Sequence, residues 1–166
     1  MPDPNNQPPP PVIDSARVLA YALVDDIEYK KWGALYSGDT LIEKVPRLAI
    51  CSNLGKDIGP MLFHCDEEWN VLGVSGGATV SEVKDRAERN YPGVGSRWID
   101  AYVGIEEALE YYDEVTEGEK CSFCGKRPFE VTGMVSSPNA GAAICRECVE
   151  DLYRAFQEPD GEDQST

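Results

Sequence analysis

The apolar residues arrive first in short runs separated by turn chemistry. VLAYALV (18–24) is apolar at every position and predicts a strand buried on both faces. WGALY (32–36) and TLIEKV (40–45) flank Ser37-Gly38-Asp39 and predict a hairpin. RLAICS (47–52) and MLFHC (61–65) are strand-length runs, and the Gly, Asp and Pro content of NLGKDIGP between them marks a loop. WNVLGVS (69–75) follows the acidic turn Asp66-Glu67-Glu68 and predicts another strand.

Beyond residue 78 the period changes. Thr79-Val80-Ser81-Glu82 fits a capping box, with Thr79 as N-cap and Glu82 reaching back. Val80, Val83, Ala87 and Tyr91 fall on one helical face, and Pro92-Gly93 ends the run. RWIDAYV (97–103) alternates like a strand, and Ile105, Ala108, Leu109 and Tyr112 repeat as a helix. The rival is one helix over 97–115, since Trp98, Tyr102, Ile105, Leu109 and Tyr112 also form a stripe. Gly104 is a weak interior residue and Glu106 and Glu107 suit a helix N-terminus, which favours the break.

Strands first and helices later predict an α+β fold over 13–116, a mostly antiparallel sheet with two helices, and argue against a doubly wound sheet. Six of the first twelve residues are proline, so 1–12 reads as an extended, disordered arm. Thr116 to Lys120 is a polar linker, 117–157 a second and smaller unit, and 158–166 a disordered acidic tail.

Composition narrows the partners. Thirty acidic against fifteen basic residues give a net charge of −15. Such a chain repels nucleic acid and anionic membranes and favours basic protein surfaces, so neither nucleic acid nor membrane is an expected partner. No run approaches the roughly 18 apolar residues of a membrane span. The N-terminus lacks the basic and apolar regions of a secretory signal, and a cytoplasmic protein with reduced thiols is expected.

In that setting Cys121-x-x-Cys124, twenty residues, then Cys145-x-x-Cys148 reads as metal chemistry. Each pair folds as a knuckle that turns both sulfurs to one point, and two pairs complete a closed tetrahedral thiolate site for one structural Zn²⁺. Gly125 after the first pair supplies the positive φ such a turn wants. A unit of about forty residues rarely holds on its apolar core alone, so this one should fold around its metal. The rivals are iron in the same four thiolates, two separate redox pairs outside any βαβ setting, and four unrelated core cysteines.

CSFCGKRPFEV, the turn Ser137-Pro138-Asn139 and ICRECVEDLYRAF together resemble the zinc-binding domain of the ClpX family, the unfoldase partner of the ClpP protease. The resemblance covers about a quarter of the chain. It implies a treble-clef or zinc-knuckle-like module with Cys121, Cys124, Cys145 and Cys148 as ligands. It also implies dimerisation and the recruitment of substrates or adaptor proteins. In that family an ATPase follows the zinc domain; here the cysteines lie near the C-terminal end and no phosphate-loop motif occurs. The expectation is the recognition module without the motor. The resemblance does not extend to residues 13–116.

Two further features bear on function. Cys148 is followed by Val149, Leu152, Tyr153 and Phe156, an apolar stripe on one helical face. On so small a unit it predicts a partner surface, with a homodimer through the zinc module as its simplest use. His64, the only histidine, adjoins Cys65, with Cys51 on another strand. A Cys–His dyad or a second metal site is conceivable, but adjacent strand residues point to opposite faces. The leading expectation is a non-enzymatic protein-interaction factor, of adaptor or regulator type around Clp proteolysis or protein quality control. The alternatives are a small antitoxin- or immunity-type binder, or a small redox or hydrolytic enzyme using Cys51, His64 and Cys65.

Overall fold

Runs joined by short loops pair with each other, and VLAYALV reaches past the 32–45 hairpin to pair with RLAICS. A computed structural model describes residues 7–157. The strands are β1 (Val12–Ile13), β2 (Ala16–Leu23), β3 (Leu35–Ser37), β4 (Thr40–Ile42), β5 (Arg47–Asn53), β6 (Pro60–Cys65), β7 (Val71–Gly76) and β8 (Ile99–Asp100), with β9 (Met134–Ser136) and β10 (Ala143–Cys145) near the end. The helices are α1 (Val80–Asn90), α2 (Ile105–Val115) and α3 (Arg146–Gln157). The chain divides into two compact units between Val115 and Thr116. The expected tail at 158–166 and residues 1–6 of the expected arm lie outside the described residues.

The first unit is a curled antiparallel sheet in the order β1-β2-β5-β6-β7, with β8 also pairing with β2. Both faces are covered. On one, Ala22, Val24, Leu48, Ile50 and Leu62 pack under Val83, Ala87 and Tyr91 of α1 and its C-terminal cap. The other buries Ile13, Ala16, Val18, Ala49, Cys51, Phe63, Cys65 and Trp69. Each fully buried aliphatic of this kind contributes about 1.5–3 kcal/mol before entropy is counted. A bulge between Val18 and Ala20 lets β2 serve both faces. Before it, even-numbered residues face the Trp69 side; after it, Tyr21 and Leu23 do, and Ala22 and Val24 turn toward α1.

The helix start follows its box with one shift. Glu82 N donates to Thr79 Oγ1 at 3.2 Å, while the Glu82 carboxylate accepts from Ala78 N at 2.8 Å rather than from Thr79. Val80, placed by periodicity on the inner face, is partly exposed. The expected strand over 97–103 shortens to Ile99–Asp100. Trp98 turns into the core beside α1, and Tyr102 adopts φ 55°, which ends the extended segment. Helix α2 starts at Ile105, so 97–115 is not one helix; its buried residues are Ala108 and Tyr112.

Residues 7–12 of the expected arm are tied to the sheet. Val12 and Ile13 form β1, Val18 N donates to Pro11 O at 3.0 Å, and the Trp69 indole donates to Gln7 O at 3.2 Å. Proline removes backbone donors, not acceptors, so a Pro-rich segment can still be held through its carbonyls. In the second unit a turn at residues 121–125 precedes the antiparallel β9–β10 hairpin, and α3 follows directly.

Candidate metal centre

The two Cys-x-x-Cys pairs sit on different elements. Cys121 N donates to Lys126 O and Gly125 N to Cys121 O, both at 2.8 Å, closing a tight turn around the first pair. Gly125 has φ 74°, the conformation its position asked for. Cys145 ends β10, and Cys148 lies in the first turn of α3. Knuckle, hairpin and a helix that supplies the last ligand from its N-terminal turn make a treble-clef arrangement.

The four sulfurs converge. Cys121 Sγ lies 3.8 Å from Cys148 Sγ, Cys124 Sγ lies 3.7 Å from Cys145 Sγ, and all four fall within 4.8 Å of one another. A tetrahedral zinc with Zn–S bonds of about 2.3 Å requires sulfurs about 3.8 Å apart. A disulfide would need about 2.05 Å. The donor set therefore fits a four-coordinate metal. Four protein ligands leave no position for water, which is the signature of a structural site.

Backbone groups prepare the sulfurs for negative charge. Cys145 N donates to Cys121 Sγ at 3.3 Å and Cys148 N to Cys145 Sγ at 3.4 Å. Burial raises the Cys121 thiol, but backbone N–H groups of Cys124, Cys145 and Phe123 outweigh it and hold it down at about 6. A hydrogen bond with Cys145, aided by burial, pushes Cys148 up. Four neighbouring thiols cannot all ionise beside one another; a divalent cation reverses that balance and deprotonates them together.

The supporting contacts escaped sequence reasoning. Thr132 donates to Glu147 Oε1 through its backbone N at 2.9 Å and its hydroxyl at 2.8 Å, bracing the start of α3 against the segment before β9. These donors hold the Glu147 carboxyl down at about 2. Arg146 N donates to Gly133 O at 2.9 Å, and Ser122 and Ala143 exchange two hydrogen bonds. The position of Glu147 between two ligands was the available signal.

Residues 119–158 match the ClpX C4-type zinc finger family. They are a ClpX C4-type zinc finger. The match spans about a quarter of the chain and includes all four cysteines. The finger binds one structural Zn²⁺ through Cys121, Cys124, Cys145 and Cys148. No solved structure matches the chain.

The first unit disperses its candidates. Cys51 pairs with Met61 and Cys65 with Arg47, four residues apart along the same strand pair. Both thiols are free, and neither belongs to a group with metal-ligand geometry among the described residues. His64 lies on the other face of the sheet, as strand alternation requires. Burial pushes the Cys51 thiol well up and Cys65 up to about 12, and holds His64 down at about 4. The Asp66 carboxylate accepts from Glu68 N, Asn70 N and Asn70 Nδ2, each at 2.9 Å, so it closes its own turn. Among the described residues the finger holds the only cluster with metal-ligand geometry, and no helix is long and apolar enough to cross a membrane.

Proposed function

We propose that this chain is a non-enzymatic protein-interaction factor in which the zinc finger presents helix α3 to a protein partner. The observation that carries this reading is the state of the predicted stripe. Val149, Leu152, Tyr153 and Phe156 are 48%, 37%, 65% and 86% exposed, and no residue of α3 is buried. The charged positions are matched along the helix itself, Arg146 with Glu150 at 2.9 Å and Arg154 with Asp151 at 3.4 Å. An apolar face beside internally paired charges is the surface of an interface rather than of a solvated helix. A second copy of the finger is its first partner, since a two-fold contact buries the stripe against itself.

The finger family supports an adaptor or regulator around Clp-type proteolysis or protein quality control, in a cytoplasmic compartment that keeps the four thiols reduced. The net charge of −15 favours basic protein surfaces over nucleic acid or membrane. The non-enzymatic reading draws support from the dispersal of Cys51, His64 and Cys65 over two faces. The test is sedimentation equilibrium of the zinc-loaded full chain with Leu152→Asp and, separately, Phe156→Asp. The expected result is a wild-type dimer and monomeric variants that retain one zinc. A monomeric wild type at high concentration refutes the homodimer; loss of metal from the variants makes the stripe part of the finger's core.

A further inference from the structure

The face of the sheet that carries His64 opens into a cavity of about 260 Å³ in the first unit. Its floor is His64 on β6 and Ser75 on β7. They share a face because Ser75 pairs with Leu62, two residues from His64. Helix α1 contributes Arg86, and the β3–β4 hairpin contributes Leu35 and Ile42. The hairpin comes close because β7 carries glycine at position 73. A Cβ there would lie 3.0 Å from Leu35 Cδ2 and 3.1 Å from Ile42 Cγ1.

The floor is polar and unsatisfied. Ser75 Oγ is buried with no hydrogen-bond partner. His64 is only 8% exposed, and among the described residues nothing hydrogen-bonds its ring. A buried hydroxyl left unpaired costs about 1–3 kcal/mol, so Ser75 calls for an occupant of the cavity that the His64 ring also lines. Burial keeps the imidazole neutral at physiological pH, holding it down at about 4. It therefore offers one donor and one acceptor and no charge.

The rim is aromatic and held in place. Tyr29 and Trp32 line the cavity. The Arg89 guanidinium lies 4.3 Å from the centre of the Trp32 ring. Lys30 N donates to Asn90 O at 2.8 Å, and the Asn90 amide donates back to Lys30 O at 3.3 Å and Trp32 O at 3.5 Å. The loop that carries the rings is thus fastened to α1 before any ligand arrives. Glu43 and Arg86 bring opposite charges to the walls, so the cavity selects no net charge. A charged group on the neutral floor would lose its hydration without a counter-ion. The volume is just below that of ordinary ligand pockets, enough for one or two fused rings.

We propose that this cavity binds a small uncharged heteroaromatic ring of nucleobase size, hydrogen-bonded by its edge to His64 and Ser75 and packed against Tyr29 and Trp32. His64 is the only histidine, so its imidazole NMR signals report this cavity alone. The experiment titrates the zinc-loaded full chain with the free nucleobases and, in parallel, their nucleosides. At least one compound should give saturable shifts of both the His64 imidazole and the Trp32 indole below millimolar concentration. Tighter binding of the bases assigns the cavity to free bases, and tighter binding of the nucleosides to these. Ser75→Ala and the exposed Trp32→Ala, with folding checked by circular dichroism, should each weaken binding by about tenfold or more. Absence of any saturable shift, shifts unaffected by both substitutions, or ordered water as the sole partner of Ser75 would overturn the proposal.

Discussion

Replacing Tyr91 with phenylalanine removes one oxygen from a fully enclosed point of the first unit. Tyr91 is 0% exposed, and its hydroxyl accepts the backbone N–H of Val45, itself 2% exposed, at 2.8 Å. The ring stays, including its contact with Tyr29 at 5.3 Å between centroids, so the hydrogen bond alone is deleted. The Val45 N–H is left buried and unpaired, which costs about 1–3 kcal/mol. Two kcal/mol lowers the melting temperature of a unit this size by about 9 °C. Urea unfolding followed by far-UV circular dichroism reads the change, with m unaltered because the surface exposed on unfolding is the same. Burial pushes the Tyr91 hydroxyl up to about 12 from its ordinary 10.0. Above pH 10 the unfolded chain therefore loses this proton before the folded one does. The wild type loses stability through that window and the variant does not, so the gap between them narrows toward pH 12. A variant within about 0.5 kcal/mol of wild type, or a gap that widens with pH, would refute the reasoning.

The buried imidazole of His64 should titrate with a midpoint of about 4 in NMR. Because the unfolded chain binds this proton near 6.5, stability should fall as pH drops from 6.5 to 4, and His64→Phe should flatten that part of the profile. Thr79→Ala removes the oxygen that accepts Glu82 N at the start of α1 and should cost about 1 kcal/mol in urea unfolding, with the fold unchanged.

The strands of the first unit were legible because their apolar runs are local and turn residues bound them. The four zinc ligands were legible for the same reason: two Cys-x-x-Cys pairs carry their geometry in their own spacing. What stayed hidden depends on contacts remote in sequence. The bulge at Leu19 reverses which residues of β2 face α1, and it exists only in the pairing with β5. Strand alternation separated His64 from Cys65 in advance, but the cavity around His64 needs the β3–β4 hairpin to lie across Gly73. The segment 97–103 alternates like a strand, yet Trp98 finds the core and Tyr102 turns out to 88% exposure. Exposure of the α3 stripe followed from counting: Phe123, Phe129, Val131 and Ile144 compete with four large apolar groups for a core that knuckle residues and metal already fill.

The central claim is a closed zinc site that folds the finger apart from the first unit, and thiol alkylation read by mass spectrometry tests it most directly. Six cysteines divide into four at the metal and two, Cys51 and Cys65, in the sheet core. The zinc-loaded chain should resist alkylation at all six, including Cys124, which is exposed yet a ligand. A chelator should release one zinc and open Cys121, Cys124, Cys145 and Cys148 together, leaving Cys51 and Cys65 protected until urea unfolds the sheet. Alkylation of Cys124 or Cys148 with zinc still bound, or of all six on chelation alone, would contradict the account.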